Sequence, residues 1–173
     1  MKGQIKSTVT LVCICAVVAL MLAVTNFITA PIIAENERIA VNKALLEVMP
    51  GGENFEKMDI DGYELPKSVT EVYVEDGGGY VFKLSGKGYS SGMVIMCGVN
   101  ADGTVSGAVC LSSGETLGYE KTFGQNFIGK DAAGVSAVEI IAGATKTTEG
   151  YKSVVSDAIR AAQTLREGGA ANE

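Results

Sequence analysis

The chain has 173 residues, enough for one domain of ordinary size beside a membrane segment. It carries 14 basic and 20 acidic residues but no histidine or tryptophan, which removes Ser-His and Cys-His nucleophile pairs and most catalytic zinc sites. Redox or group chemistry must therefore come from a borrowed cofactor.

At the N-terminus no charged residue lies between Lys6 and Glu35, and Val9 to Val24 is almost wholly apolar. Roughly 20 helical residues at about 1.5 Å each cross a hydrocarbon core of about 30 Å, so this stretch is long enough to span a membrane. Lys2 and Lys6 precede it, and Glu35 and Glu37 follow it. The positive-inside rule then predicts a single-pass protein of the cell (inner) membrane, N-terminus cytoplasmic and domain extracytoplasmic. A cleaved signal peptide also begins with charge and an apolar core, but no A-x-A site ends this run and it is long for such a core. We read an uncleaved anchor closed by Thr29-Ala30-Pro31-Ile32-Ile33. The expected organisation is a cytoplasmic tail and anchor over 1–34 and one extracytoplasmic domain over 35–173. The span holds no charge and so cannot be an ion pathway. Apart from Lys2 and Lys6 the chain has 12 basic against 20 acidic residues. That balance excludes nucleic acid as a partner and leaves no basic patch for anionic lipids.

Beyond the anchor the pattern predicts an α+β domain, an antiparallel or mixed sheet flanked by helices. Glu35 to Val48 reads as a helix stopped by Pro50-Gly51-Gly52, and the stretch from there to Lys67 as polar and irregular. Val69 to Val74 and Tyr80 to Leu84 are strand-like, joined through Asp76-Gly77-Gly78-Gly79. Gly92 to Val99 and Thr104 to Leu111 form the clearest hairpin, with Asn100 to Gly103 as its connection. Glu120 to Ile128 is a short helix. Valine-rich Val135 to Ile141 reads as a strand running into Gly143-Ala144. Tyr151, Val154, Val155, Ala158, Ile159, Ala162 and Leu165 then recur at helical spacing.

The cysteines suggest packing. With Asn100 to Gly103 as the turn, Cys97 faces a residue near Ser106 and Cys110 one near Met93, too far apart for a disulfide. They are expected to be buried free thiols. Cys13 and Cys15 lie in the apolar span without metal-like spacing; an approach of either to a partner's metal centre is a minor alternative.

Two segments point to a ligand. A turn of small residues, Gly143-Ala144, entering a helix makes an anion site, because free backbone N–H groups and the positive end of the helix dipole both face a phosphate placed there. Thr147 or Thr148 is expected to cap that helix. Upstream, Glu115, Thr116 and Leu117 lie between Gly114 and Gly118, so the backbone can approach a planar ring and Thr116 can bond its polar edge.

Glu139, Gly143-Ala144-Thr145 and Thr147 together resemble the flavinylation motif of the FMN-binding-domain family. That family includes the G subunit of the Rnf ferredoxin:NAD+ oxidoreductase and the C subunit of the Na+-translocating NADH:quinone oxidoreductase. Its pattern is an Asp, a spacer, Ser or Thr, then Gly-Ala-Thr, with FMN esterified through its phosphate to the last Thr by a dedicated flavin transferase. Here Glu139 stands for the Asp and Ala142 for the Ser or Thr, leaving the effect of the lost hydroxyl open. The resemblance runs along almost the whole chain, including a Thr-x-Pro-Ile stretch after the span and Gly88-Tyr89 before the hairpin. Glu115-Thr116-Leu117-Gly118 resembles the family's Glu-Thr-Pro-Gly-Leu-Gly, with Leu117 for Pro, Tyr119 for Leu and Glu120 for the last Gly.

The resemblance implies an electron-transfer subunit with covalent FMN on Thr145, held by Gly143, Ala144, Glu115, Thr116, Leu117, Gly118, Thr147 and Thr148, with no metal. The implied setting is a membrane complex that couples ferredoxin oxidation and NAD+ reduction to Na+ or H+ transport. Implied partners are multispanning flavin and iron–sulfur subunits, plus the transferase during maturation. Two alternatives stay open: a membrane-anchored flavoprotein of another electron route, and a non-redox extracytoplasmic assembly or binding module.

Overall fold

A computed structural model describes residues 2–168, in two compact units, Met1–Ala40 and Val41–Glu173. The first is dominated by α1 (Lys2–Val48), which carries Pro31 inside it. Val9, Leu11, Val12, Leu20, Leu22, Phe27 and Ile33 stand exposed along it, and its length and apolarity suffice to cross a membrane. Thr25 and Thr29 donate their hydroxyls to Met21 O and Thr25 O, each at 2.9 Å, which satisfies both within the helix. The helix passes without a break through Thr29-Ala30-Pro31-Ile32-Ile33, so the anchor and the helix expected over Glu35 to Val48 form one element ending at Val48. Proline forfeits one backbone bond but not its neighbours', and long apolar helices tolerate that loss.

The second unit is a five-stranded antiparallel meander, β1 (Glu56–Met58), β2 (Val69–Val74), β3 (Tyr80–Lys87), β4 (Ser91–Val99) and β5 (Val105–Ser112), in that spatial order. Strand alternation supplies two apolar faces. Val72, Phe82, Leu84, Ile95, Cys97 and Ala108 face one way, with Tyr151, Val154, Val155, Ala158 and Ile159 of α4 (Thr145–Arg166) packed into the same core. Val81 and Met96 belong to a second core with Val41, Ala44, Leu45 and Val48, the end of α1. There Ser106 Oγ donates to Val48 O at 2.6 Å, and a Cβ on Gly107 would lie 2.7 Å from that same carbonyl. The end of α1 thus rests on bare backbone, with one terminal carbonyl satisfied by a side chain.

Between β5 and α4 the chain forms α2 (Glu120–Phe123), a 3-10 turn (Gly124–Phe127) and α3 (Ala132–Ala137). Phe127 stacks on Tyr151 at 5.7 Å, and Phe123 meets both edge-on.

Three further expectations are revised. Val135 to Ile141 is not a strand: Asp131 caps α3 by accepting from Gly134 N at 2.8 Å, and residues 138–141 continue without regular structure. Local capping there prevails over β propensity. A short strand, β1, occupies part of the segment read as irregular; it pairs Lys57 with Tyr73, and three residues are too few to leave a pattern. The hairpin register is Cys97 opposite Ala108 and Cys110 opposite Ile95. Thr104 still belongs to the turn, accepting from Asn100 N, and the register slips again between Gly98 and Val99. Both thiols are free, Cys97 buried and Cys110 only partly so. Burial pushes the Cys97 thiol up to about 12.

Candidate functional site

The two segments singled out for ligand chemistry line one cavity of about 340 Å³. Glu115, Thr116 and Leu117 form part of its wall, and Gly143, Ala144, Thr145, Lys146 and Thr147 another. Gly118 and Thr148 are not among the lining residues.

The turn entering α4 is built locally. Gly143 has φ +87°, a left-handed conformation natural only to glycine, and its Cβ position meets open space. Thr148 N donates to Ala144 O at 2.9 Å as the first helical bond. The amides of Thr145, Lys146 and Thr147 therefore have no acceptor within the helix. No acidic residue sits in the first turn to oppose an anion. Thr145, the first residue of the helix, is exposed.

The hydroxyls expected to cap α4 do not. The helix starts at Thr145 with Ala144 as N-cap and no side-chain cap, so Thr147 and Thr148 lie buried in its first turn. Thr148 Oγ1 donates to Ala144 O (3.0 Å) and accepts from Ile141 N (3.2 Å), fastening the preceding turn. Thr147 Oγ1 donates to Glu115 Oε2, while Glu115 Oε1 accepts from Ser90 N at 2.8 Å. Glu115 therefore braces the loop against α4. Thr116 and Leu117 are exposed.

Glu139 stands elsewhere, in an open groove with Glu149, Lys152 and Arg160. Four more residues line the cavity that the sequence did not assign to a ligand: Tyr89, Tyr119 and Glu120, met there only as motif positions, and Lys146. Lys146 Nζ sits 5.9 Å from the centre of the Tyr89 ring, offering a cation beside the free amides. Tyr89 and Lys146 adjoin residues already noted, a signal that contiguity alone could have supplied. Glu120 is 2% exposed, and nothing in its neighbourhood of sequence foretells burial of a carboxylate. Behind it, burial and then the Glu120 charge push the Cys110 thiol up to about 11.

A phosphate-sized anion at three free amides, with an apolar and aromatic wall beyond, is the arrangement that a phosphorylated planar ligand needs. Residues 88–160 match the FMN-binding domain, and residues 2–48 match the RnfG N-terminal region. The chain is similar to the G subunit of the Na(+)-translocating ferredoxin:NAD(+) oxidoreductase complex of Acetobacterium woodii. The two are 29% identical over an alignment of 182 positions covering 88% of each chain. The long apolar helix and this relative together make it a single-pass membrane protein.

Proposed function

We propose that this chain is the FMN-carrying electron-transfer subunit of a membrane complex that couples ferredoxin oxidation and NAD+ reduction to ion transport. The observation that carries the reading is the single cavity shared by the Gly143–Thr147 turn and the Glu115–Leu117 loop, inside the segment that matches the FMN-binding domain.

The cavity suits FMN on its own chemistry: free amides and Lys146 for the phosphate, Tyr89, Leu117 and Tyr119 for the ring. When bound, the flavin supplies one- and two-electron chemistry that no side chain here offers. The exposed Thr145 hydroxyl, beside the phosphate position, is the group we assign to the phosphoester, formed by a flavin transferase during maturation. Gly143 holds the turn open, and Glu115 and Thr147 keep the loop closed against the helix. The anchor leaves Lys2 and Lys6 in the cytoplasm and the domain outside, next to multispanning flavin and iron–sulfur subunits.

The test is co-expression of the full chain with a flavin transferase, followed by fluorescence on a denaturing gel. Thr145→Ala should lose the fluorescent band, while Thr147→Ala and Thr148→Ala should at most weaken it. Persistent covalent flavin in Thr145→Ala would overturn the assignment.

A further inference from the structure

Thr145 heads one face of α4. Glu149, Lys152, Ser156 and Arg160 follow it at spacings that return to the same side of the helix every three or four residues. Those four, with Ser153, form one bank of an open groove of about 830 Å³, and residues 136–140 form the other. Thr145 also lines the FMN cavity, so the exposed acceptor stands between cavity and groove. From Glu149 to Arg160 the helix rises about 16 Å, the span of about five extended residues.

The groove is already formed in the isolated chain. Lys152 Nζ donates to Ser136 O and, at 2.9 Å, to Val138 O, fastening the end of α3 to α4. Arg160 pairs with Asp157 at 3.1 Å. Both cations of the groove are thus engaged by the chain itself. Glu139 on one bank and Glu149 on the other have neither an ion pair nor a side-chain hydrogen bond among the described residues. Ile140, next to Glu139, is 43% exposed. Unmet negative charge on both banks beside an exposed aliphatic side chain suits a basic segment that also carries an apolar residue.

We propose that this groove is the docking surface for the flavin transferase, which lays a short basic segment along α4 with Thr145 at its head. This rests on Thr145 receiving FMN from that enzyme. An enzyme that esterifies Thr145 must hold the hydroxyl at its own active centre, so its footprint includes this residue. Of the two surfaces that meet there, the cavity takes the flavin and the groove is left for the enzyme. Glu149, Ser153 and Arg160 lie outside the stretch that resembles the flavinylation motif, so recognition extends beyond that motif onto the helix.

The experiment follows in-gel fluorescence with time for the purified full chain in detergent, mixed with a flavin transferase and its flavin donor. Wild type, the double variant Glu149→Lys with Ser153→Arg, and Glu56→Lys are compared, each checked for folding by its melting temperature. The double variant should label about tenfold more slowly at low salt. Glu56→Lys, an exposed reversal on β1, should label like wild type. Competition separates docking from chemistry. Excess Thr145→Ala chain, which lacks the acceptor hydroxyl, should slow the labelling of wild type, and the same chain carrying Glu149→Lys and Ser153→Arg should not. If the double variant does not fold, a smaller loss of rate in Glu149→Gln carries the test. Unchanged labelling of the folded groove variants, or equal competition by both Thr145→Ala chains, overturns the docking site and leaves the ester in place. A wild-type chain without a fluorescent band rejects the ester and the docking site together.

Discussion

Thr147 Oγ1 and Glu115 Oε2 lie 2.5 Å apart, joining the first turn of α4 to a loop 32 residues away in sequence. The other oxygen of Glu115 receives Ser90 N, so one carboxylate ties three separate segments around the cavity. Thr147→Val keeps the side-chain shape and removes the donor. It should destabilise the chain by about 1–3 kcal/mol, the range for a hydrogen bond to a charged group left partly unpaired. Denaturant unfolding in detergent measures this, and a double-mutant cycle with Glu115→Gln should show coupling between the two. Additive losses would mean that the contact carries no shared energy.

Gly143 at φ +87° forecasts a backbone effect separable from packing, because its Cβ position is open. Gly143→Ala should cost about 1–2 kcal/mol and lower flavin attachment, while Gly143→Asn should cost less, since asparagine tolerates the left-handed region. The comparison is made on melting temperature and in-gel fluorescence together. Equal stability of Gly143→Ala and wild type would contradict the argument.

Acid titration should expose Glu71. Burial raises its pKa, but Lys57 at 2.8 Å, Tyr73 at 2.7 Å and Lys83 at 3.0 Å outweigh that and hold it at about 2, from an ordinary 4.5. A depressed carboxylate contributes stability that is complete above its unfolded pKa and is lost as pH falls through the folded one. Glu71→Gln should therefore be less stable than wild type at pH 7, by about 1–3 kcal/mol after allowing for the exposure of Lys57. The gap should close between pH 4.5 and about 2. A gap that stays constant down to about pH 2 would show that packing, not charge, sets the difference.

Orientation is open to a chemical probe. Asp61, exposed in the segment before β2, becomes a label site as Asp61→Cys. In intact cells it should react with a membrane-impermeant maleimide well above the background of the parent chain. Burial and the raised pKa keep Cys97 almost entirely protonated, and so unreactive, near neutral pH. Protection of the new thiol until the membrane is opened would reverse the topology.

Periodicity made the two central hairpins and α4 legible, because each has one face that must be buried and the pattern repeats several times. The register of β4 against β5 was not legible, since a bulge at Gly98/Val99 leaves no compositional mark. The helix at Ala132–Ala137 was also hidden, its start decided by one Asp131 carboxylate and not by any apolar stripe. At the cavity, the Gly143-Ala144-Thr145 turn and the Glu115 loop could be named from motif and resemblance. The role of Glu115 as a brace could not, because Ser90 and Thr147 become its neighbours only once β3, β4 and α4 have packed. The burial of Glu120 was hidden for the same reason: a glutamate at a helix start ordinarily reads as solvated, and only tertiary packing put it inside.

The helix that opens with Thr145 is also the one that drives Tyr151 between Phe123 and Phe127 and lays Val154, Val155, Ala158 and Ile159 on the sheet. Five residues, a stretch of fewer than two turns, lie between the exposed Thr145 and the fully buried Tyr151 ring. The core thus acts as an angular clamp on the cavity mouth. One residue inserted between Thr148 and Tyr151 would turn Thr145 by about 100° and shift it about 1.5 Å along the axis, if the core kept its seat. A chain altered in that way would stay folded and apolar inside, yet present its hydroxyl to the wrong side of the domain.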